Sequence, residues 1–401
     1  MSVNLAMSTR GGLPPPCLLG IGINRLGVRV TTLFQLAVIR SLLAVALLGS
    51  APVLAEPDVL VRPALQTARA NSSAMLAVTR AGNRIVAVGE RGIVILSDDN
   101  GITWRQSVVP VSETLTNVQF ANDRTGWAVG HSGIVLRSSD GGQTWQGQLD
   151  GKKAAELSLA LAKQRAALAA GDTKGKQQLK RNQNLVIEAE RLVADGPDKP
   201  FLDLSFRNEA EGFIVGAYGL ILGTTDGGQT WTSWQDRLDN GRGRHLYSIA
   251  AAGKDIYIAG EQGTLFHSTD AGLSFSEVKT PYAGSYFGVR QLAGGGVLVF
   301  GLRGNVYQSH DGVHDWQKVP IGDDAALNAS CLLSDGSLIL VDQGGRVLRS
   351  KDGGHSFQLE PQRQGFPLSG VVQAADSSIV LVGLGGVAKI SPLAAVPGAG
   401  Q

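Results

Sequence analysis

The sequence predicts an all-β fold made of one repeated unit, and two observations carry this prediction. The first is a motif of the form S/T-x-D-x-G-x-T-W, which occurs six times and is clearest as SSDGGQTW around Asp140 and TTDGGQTW around Asp226. The second is the spacing of the six motif aspartates, which is 41, 86, 44, 41 and 41 residues. A unit of about 41 residues has the size of one β-propeller blade, so we expect that architecture.

Counting strands within the repeats gives the number of blades. Seven inner strands are predicted to start at Leu76, Thr116, Leu202, Leu246, Phe287, Asn328 and Gly370. Each is followed by two more β-rich runs joined by a short turn, such as His131-Ser132-Gly133. Outer strands follow only the six aspartate motifs, so the last blade lacks one. We expect a seven-bladed β-propeller closed by an N-terminal strand, Val59 to Val61, that pairs with Val387 to Ile390 and covers the open edge.

The residues of the repeated motif have a structural explanation. An aspartate in a turn accepts hydrogen bonds from backbone N–H groups, glycine supplies positive φ, and tryptophan begins the next strand as a large apolar anchor. We assign these roles to Asp99, Asp140, Asp226, Asp270, Asp311 and Asp352, and to Trp104, Trp145, Trp231 and Trp316. The fifth copy departs from the pattern, because Val313 and Asp315 stand where glycine and threonine are expected.

One stretch does not fit the repeat. Residues 152–199 are rich in alanine, leucine, lysine, glutamine and glutamate, which favour helix. Apolar residues recur in it at helical spacing, namely Leu157, Leu161, Leu168, Leu179, Val186 and Val193. Gly171-Asp172-Thr173 divides the stretch, so we predict a helical hairpin inserted between the second and third blades. The hairpin is either a lid packed on its own apolar face or a partner-binding element, and the two interpretations are compatible.

The first 55 residues have the composition of a signal peptide with a long n-region. Arg40 precedes the apolar run Ser41 to Leu48, and small residues end the stretch at Ala55. The run is shorter than the roughly 20 apolar residues that a membrane span needs. We expect cleavage after Ala55, a periplasmic protein, a propeller over residues 56–390 and a flexible tail at residues 391–401.

Charge and cysteine content exclude some functions. The chain carries a formal charge of +2, but four arginines and no acids lie in the first 55 residues, so the remainder has 32 basic and 34 acidic residues. This balance does not favour nucleic acid as a partner. Cys17 lies in the predicted signal peptide, which leaves Cys331 alone, so we expect no disulfide within the mature chain.

The strand order predicts which loops share a surface. Turns between second and third strands lie on the same side as the entries to the inner strands, and the aspartate motifs lie on the other side. Loops on a rigid scaffold are where binding groups concentrate. We therefore predict a partner-binding face that contains Arg91, His131, Phe201, Tyr218, His245, Tyr247, Tyr286, Phe287, Arg290 and Arg303. Arg91, Arg290 and Arg303 are either a local basic patch or ordinary solvated residues.

The repeats GWAVGHSGIVLRSSDGGQTW and GFIVGAYGLILGTTDGGQTW resemble the Asp-box, or bacterial neuraminidase, repeat class. More closely, residues 74 to 390 resemble the photosystem II assembly and stability factor family, as a member from a non-photosynthetic bacterium. That resemblance implies a non-enzymatic seven-bladed propeller on the lumenal or periplasmic side that helps to assemble membrane protein complexes. It also implies related proteins associated with envelope exporters. We expect a monomeric assembly or accessory factor for an inner-membrane or envelope complex, without a cofactor.

The alternative is a carbohydrate-active propeller of the glycosidase or sialidase type. A glycosidase needs two carboxyl groups that face one cleft, for which the candidates are Glu90, Asp203, Glu261 and Asp342. No F/Y-R-I-P signature of sialidases is present. His310 and His314 are the one close histidine pair, but they flank a turn, so we expect no metal site.

Overall fold

The computed structural model describes residues 60–169, 176–361 and 363–391. The predicted signal peptide, residues 1–55, and residues 392–401 of the predicted tail lie outside the described residues. Within the described part, 27 strands form seven antiparallel sheets, six of four strands and one of three. No helix in these described ranges is long and apolar enough to cross a membrane.

Each sheet follows the chain in order from its innermost to its outermost strand. The first three sheets comprise β1 (Met75–Ala81), β2 (Arg84–Gly89), β3 (Val94–Ser97) and β4 (Arg105–Gln106); β5 (Leu115–Phe120), β6 (Gly126–Gly130), β7 (Val135–Ser138) and β8 (Gln146–Leu149); and β9 (Phe201–Phe206), β10 (Gly212–Gly216), β11 (Ile221–Thr224) and β12 (Thr232–Ser233). The middle strands are buried along almost their whole length, which matches their continuous apolar sequences.

The remaining four sheets repeat the arrangement. They comprise β13 (Leu246–Ala252), β14 (Asp255–Gly260), β15 (Leu265–Ser268) and β16 (Ser276–Glu277); β17 (Tyr286–Gln291), β18 (Val297–Gly301), β19 (Val306–Ser309) and β20 (Gln317–Lys318); β21 (Leu327–Leu332), β22 (Leu338–Asp342), β23 (Val347–Ser350) and β24 (Gln358–Leu359); and β25 (Leu368–Gln373), β26 (Ile379–Gly383) and β27 (Gly386–Ile390). Within the described residues the last sheet has no fourth strand, as predicted.

Every inner strand carries a β-bulge at the same place. The register shifts after its first residue in all seven sheets, so two residues oppose one on the neighbouring strand. The first residues are fully buried between sheets: Met75, Leu115, Phe201, Leu246, Tyr286, Leu327 and Leu368. The second residues line a central cavity: Leu76, Thr116, Leu202, Tyr247, Phe287, Asn328 and Ser369. The bulge therefore sends adjacent side chains in different directions.

The described residues do not form the predicted N-terminal strand. Leu60 and Val61 lie in a turn, Val59 falls outside the described residues, and among the residues that are described β27 pairs only with β26. The segment that follows is held beside the first and second sheets instead, because the Ala64 N–H donates to the Val109 carbonyl over 3.0 Å and the Ala64 side chain is buried there.

The first and seventh sheets meet through side chains. The Ser369 hydroxyl donates to the Met75 carbonyl over 2.6 Å. Asn100 Oδ1 accepts hydrogen bonds from the backbone N–H groups of Ala375 and Asp376, at 3.1 and 3.3 Å. Val382 packs in one core cluster with Met75. The innermost strands of successive sheets also contact each other around the whole series.

The predicted helical hairpin consists of α1 (Gly151–Ala169) and α2 (Lys176–Asp195). Asp150 caps α1, because its carboxylate accepts the Lys153 N–H over 2.9 Å. Ala154, Ala155 and Leu192 are buried in the core cluster of the second and third sheets. The apolar residues at Leu168, Leu179 and Val193 are exposed, so the hairpin does not fold its whole apolar stripe inward.

Candidate partner-binding face

Five turns between second and third strands have one geometry, which the sequence encodes as G-x-x-G. The third residue of each has a φ between 53° and 56°, in the left-handed region: Arg91, Ser132, Tyr218, Gln262 and Arg303. Residues with a Cβ rarely adopt this conformation, and a bulky aromatic residue does so at a cost. Backbone strain of this kind concentrates at functional sites. Tyr218, whose residue surface is 48% exposed, is therefore the turn residue of greatest interest.

Four of the predicted face residues form a continuous aromatic row, defined here as Tyr218, His245, Tyr247 and Phe287. Ring centroids are 5.0 Å apart between Tyr218 and His245, 6.2 Å between His245 and Tyr247, and 5.4 Å between Tyr247 and Phe287. The Lys199 ammonium lies over the Tyr218 ring, 4.9 Å from its centroid. The row therefore runs from the exposed Tyr218, with the Lys199 ammonium beside it, to the half-buried Phe287.

Hydrogen bonds fix the row at His245. The Tyr218 backbone N–H donates to His245 Nδ1 over 3.3 Å, so the ring proton belongs on Nε2. The His245 backbone N–H donates to the Glu261 carboxylate over 3.1 Å. Burial, with a smaller effect of the Glu261 charge, raises the pKa of Tyr247. The row is thus held in one arrangement by groups from the third and fourth sheets.

Phe201 and Tyr286 do not belong to the exposed face. Both are the first residues of inner strands, where the β-bulge turns the side chain into the core, and both are fully buried. Close backbone contact accompanies the bulge: a Cβ on Gly216, opposite Phe201, would lie 2.3 Å from the Pro200 carbonyl oxygen. Their inclusion in the predicted face was wrong, because the simple alternation of a strand does not hold across a bulge.

The other predicted face residues do not come together. His131, Arg91 and Arg303 are exposed on the turns of the second, first and fifth sheets. Arg290 lies on an inner strand and lines the central cavity. Its Nε donates to the Ser330 hydroxyl over 2.7 Å and its Nη2 to the Ser330 carbonyl over 2.8 Å. The three arginines therefore occupy separate places and form no common basic patch.

The central cavity has a volume of about 590 Å³ and a polar lining. Asp203 is its buried acid, and the carboxylate accepts hydrogen bonds from Asn117 Nδ2 at 2.5 Å and from the backbone N–H groups of Leu204 and Ile249 at 2.8 Å. Burial raises the pKa of Asp203 to about 6 despite these donors. Burial likewise lowers the pKa of the Arg290 guanidinium.

The remaining candidate acids have structural partners. Glu90 accepts the Ala74 backbone N–H over 3.3 Å, just as Glu261 accepts that of His245. Asp342 is fully buried and accepts from Arg346 Nε over 2.6 Å. Only Asp203 lines the central cavity, and Glu261 lines a different one. The four carboxyl groups therefore do not share one cleft as a glycosidase would require.

The aspartate turns lie at the opposite ends of the third strands. In the second copy, Asp140 accepts the Ser138 hydroxyl at 2.8 Å, the Thr144 N–H at 3.0 Å and the Thr144 hydroxyl at 2.6 Å. Trp145 Nε1 donates to the Gly142 carbonyl over 3.0 Å. The hydroxyl of Thr103, ahead of other donors, lowers the pKa of Asp99 to about 2 in the first copy. The hydrogen-bonding groups of these aspartates and of Trp145 have partners within the turn, so they stabilise the fold.

The fifth aspartate motif forms its turn with a different set of hydrogen bonds. Asp311 accepts the backbone N–H groups of Val313 at 2.9 Å and His314 at 2.7 Å, and His314 Nδ1 lies 2.9 Å from its second oxygen. Asp315 takes up positive φ, at 49°. The departure at Val313 and Asp315 is therefore a change of turn shape. No cluster of three or more histidine, cysteine or acidic residues in the described part of the chain could hold a metal ion.

A second cavity of about 660 Å³ lies beside the exposed end of the aromatic row. We call it the hairpin groove: one wall is α2 from Lys180 to Asp195, the other is the loop from Gln235 to Arg244, and Tyr218 and His245 lie between them. The sequence predicted the hairpin and the two aromatic residues but not the groove. Lys199 was missed as a site residue, since nothing in its local sequence indicates contact with Tyr218.

The seven sheets, the saturated aspartate turns and the aromatic loop face define a repeat β-propeller that presents a rigid surface of turns. A sequence model described as "Photosynthesis system II assembly factor YCF48" matches residues 97–165 and 191–337, more than half of the chain. The chain therefore belongs to that family, and the resemblance drawn from the repeats is confirmed. The match omits residues 166–190, which include the end of α1 and most of α2.

Individual relatives agree with this assignment. The photosystem II assembly lipoprotein Ycf48 of Synechococcus sp. (strain CC9902) is 38% identical over 77 residues, which cover 19% of this chain and only 23% of that relative. The structure of YCF48 from Cyanidioschyzon merolae is similar with a TM-score of 0.55 at 16% identity, over 79% of this chain and 94% of the other.

Two further solved structures show the same fold. A structure of YCF48 bound to a D1 peptide has a TM-score of 0.55 at 13% identity, with 83% of this chain and 98% of the other covered. The WD40 β-propeller domain of Doa1 has a TM-score of 0.54 at 10% identity, with 82% and 95% covered. At these identities the structural likeness establishes the β-propeller alone.

Proposed function

We propose that this chain is a non-enzymatic assembly or stability factor, or an accessory binding protein, for an inner-membrane or envelope protein complex. The complexes covered by this proposal include exporters. Family membership supports it, as does the related YCF48 structure that holds a D1 peptide. We further propose that the protein reaches the periplasm by cleavage after Ala55 and acts there as a monomer without a cofactor.

The aromatic row is the observation that carries this proposal. Tyrosine and other aromatic residues supply large contact areas at protein interfaces with few rotatable bonds. Here the exposed Tyr218 is held at a φ of 56° and continues through His245 to Tyr247 and Phe287. Docking of a partner segment against this row explains why a tyrosine occupies a position where arginine, serine or glutamine stand in other repeats.

A rigid scaffold is part of the proposed mechanism. We propose that the seven sheets form a closed ring in which packing and side-chain hydrogen bonds between the first and seventh sheets replace a shared strand. Met75, Ser369 and Asn100 supply those contacts. A ring of this kind holds the loop face in one conformation, which reduces the entropy lost on binding.

Site-specific photo-crosslinking tests the docking surface. A photoreactive phenylalanine analogue at position 218 in the full chain, expressed in its own host, is expected to capture a membrane protein. The matched control is position 273, because Leu273 is 71% exposed in an aspartate turn at the opposite end of β15. Equal capture from both positions, or capture from position 273 alone, would contradict the proposed face.

A further inference from the structure

The hairpin groove is built from two walls that are fixed against each other. Arg181 Nη2, on α2, donates to the Leu238 carbonyl of the opposite loop over 2.8 Å. Arg165 of α1 forms an ion pair with the largely buried Asp236 of the same loop. The groove therefore exists before any ligand arrives, and its volume of about 660 Å³ falls in the usual range of ligand sites, roughly 300–1,000 Å³.

The loop wall is also ordered by its own hydrogen bonds. Asn240 Nδ2 donates to the Arg244 carbonyl over 2.8 Å, and the Arg244 N–H donates back to Asn240 Oδ1 over 3.1 Å. This reciprocal pair holds the glycine-rich segment from Asn240 to Arg244 as a compact turn. Residues 180–190 of the other wall lie in the stretch that the family match omits, so this groove is an addition to the part of the fold covered by that match.

Charges in the groove are unequal. Six cationic side chains line it: Lys180, Arg181, Arg191, Lys199, Arg242 and Arg244. Four acidic side chains do so: Glu188, Asp195, Asp239 and Glu261. Asp195 and Asp198 lie 3.2 and 2.5 Å from Lys199, Glu277 lies 2.9 Å from Arg244, and Glu261 accepts the His245 N–H. Attraction of an anionic ligand therefore depends on the lining cations that are not paired with an acidic side chain.

Two of the cations are free to meet such a ligand. Lys180 on the helix wall and Arg242 on the loop wall are exposed, and neither forms an ion pair within the described residues. Between the walls lie the partly exposed side chain of Leu185 and the Tyr218 ring, while Leu238 is buried beneath them. The groove therefore combines cations at its rim with apolar and aromatic contacts inside.

We infer that the hairpin groove binds an extended acidic peptide segment, a role that rests on the proposed function and names the part of the partner that docks. Successive side chains of an extended peptide point to opposite sides. Acidic residues at alternate positions meet Lys180 and Arg242, and apolar residues between them meet Leu185 and Tyr218. The aromatic row then continues the path of the peptide towards the central cavity.

Fluorescence anisotropy with defined peptides tests this inference on the purified full chain. The probe is a fluorescein-labelled octapeptide of alternating leucine and aspartate, compared with the same peptide carrying lysine for aspartate. We expect the acidic peptide to bind at least about tenfold more tightly than the basic one, with affinity that falls as salt shortens the screening length. No preference for the acidic peptide would overturn the inference.

The variant K180E/R242E is expected to weaken binding of the acidic peptide by at least about tenfold, since it reverses both rim charges. Its control is K318E/K351E, which makes the same change in net charge at exposed residues outside the groove. Equal losses in the two variants would show unspecific attraction and overturn the site. Circular dichroism melting curves check that both variants are folded.

The peptide-binding and cross-linking experiments distinguish a wrong groove assignment from a wrong proposed function. Cross-linking of a membrane protein from position 218 without a preference for the acidic peptide would retain the docking face and overturn the groove assignment. A groove-dependent preference for the acidic peptide without any such cross-link would overturn the proposed partner class and retain the groove as a peptide site.

Discussion

The ring of Tyr218 packs edge-on against the imidazole of His245, with 5.0 Å between centroids, while the Tyr218 backbone N–H donates to His245 Nδ1. This contact joins the turn of the third sheet to the entry of the fourth. It also places a residue with a left-handed backbone at the mouth of the hairpin groove. From these two features we propose that Tyr218 serves binding more than folding.

Tyr218→Asn separates those two roles. Asparagine tolerates the left-handed conformation, so relief of strain offsets the lost ring contacts, and we expect the free energy of unfolding to change by less than about 1 kcal/mol. Partner recovery from solubilised membranes is expected to fall at least about tenfold. Ser132→Asn, at the same turn position of the preceding repeat and outside the groove, should change neither property. Unfolding of the tyrosine variant under conditions where wild type is folded would show that the residue is structural.

Asn100→Gly tests the contact between the first and seventh sheets. Asn100 has a φ of 60°, so glycine keeps the backbone but removes the acceptor for the Ala375 and Asp376 N–H groups. We expect a loss of about 1–2 kcal/mol in the free energy of unfolding. Amide hydrogen exchange should increase first in β25 to β27, because their anchorage to the first sheet is weakened. Unchanged exchange in these strands would contradict closure at this junction.

Much of this fold could be predicted because its signals are local and repeated. The aspartate turns require an acceptor, glycines and an anchor at fixed spacing; in the second copy Asp140 accepts the Thr144 N–H and Trp145 is buried. The hairpin was predictable from composition. The first residue of the inner strand is aliphatic or methionine in five of the seven repeats and aromatic in two. A comparison of the repeats could therefore have predicted that this position is buried in the core.

Other features depend on distant contacts that no local pattern encodes. The bulge separates Phe201 and Tyr286 in the core from Tyr247 and Phe287 at the cavity, although all four are aromatic residues near strand starts. Leu60 and Val61 lie in a turn where a strand was predicted, and the Ala64 N–H that follows them donates to the Val109 carbonyl. The hairpin groove needs α2 and the 235–244 loop to meet, which their separate sequences do not indicate.

Shortening the hairpin tests whether its distal part is needed for folding. Asn182 Nδ2 donates to the Arg165 carbonyl over 3.2 Å, so these two positions are adjacent and a Gly-Ser-Gly linker can replace residues 166–181. We expect the free energy of unfolding to fall by less than about 2 kcal/mol, because Ala154, Ala155 and Leu192 remain in the core. Binding of the acidic peptide should be lost together with Lys180.

Leu192→Ala is the matched test of the proximal part. It truncates a buried side chain in the core of the second and third sheets, and we expect a loss of about 2–4 kcal/mol in urea unfolding. A larger loss in the shortened hairpin than in Leu192→Ala would contradict the division between a structural base and a binding tip.

Asp203 makes stability depend on pH in a direction opposite to that of the aspartate turns. Burial raises its pKa to about 6 from an ordinary value of 3.8. Between these values the folded chain holds a proton that the unfolded chain has lost, so stability falls as pH rises through this window, by up to about 3 kcal/mol. Asp203→Asn cannot titrate. Relative to wild type, its free energy of unfolding should therefore increase from pH 4 to pH 7, whatever constant penalty the amide brings.

Urea unfolding at pH 4, 5, 6 and 7 measures this difference, with Asp140→Asn as the control. Burial opposes ionisation of Asp140, but hydrogen bonds from Thr144 and Ser138 prevail and lower its pKa. Its contribution to stability is present above the ordinary aspartate pKa and is lost as pH falls below it. The Asp140→Asn difference should therefore be flat from pH 5 to pH 7, where the Asp203→Asn difference still changes. A flat Asp203→Asn difference would mean that the three donors to Asp203 keep it ionised, and that the central cavity carries a fixed negative charge.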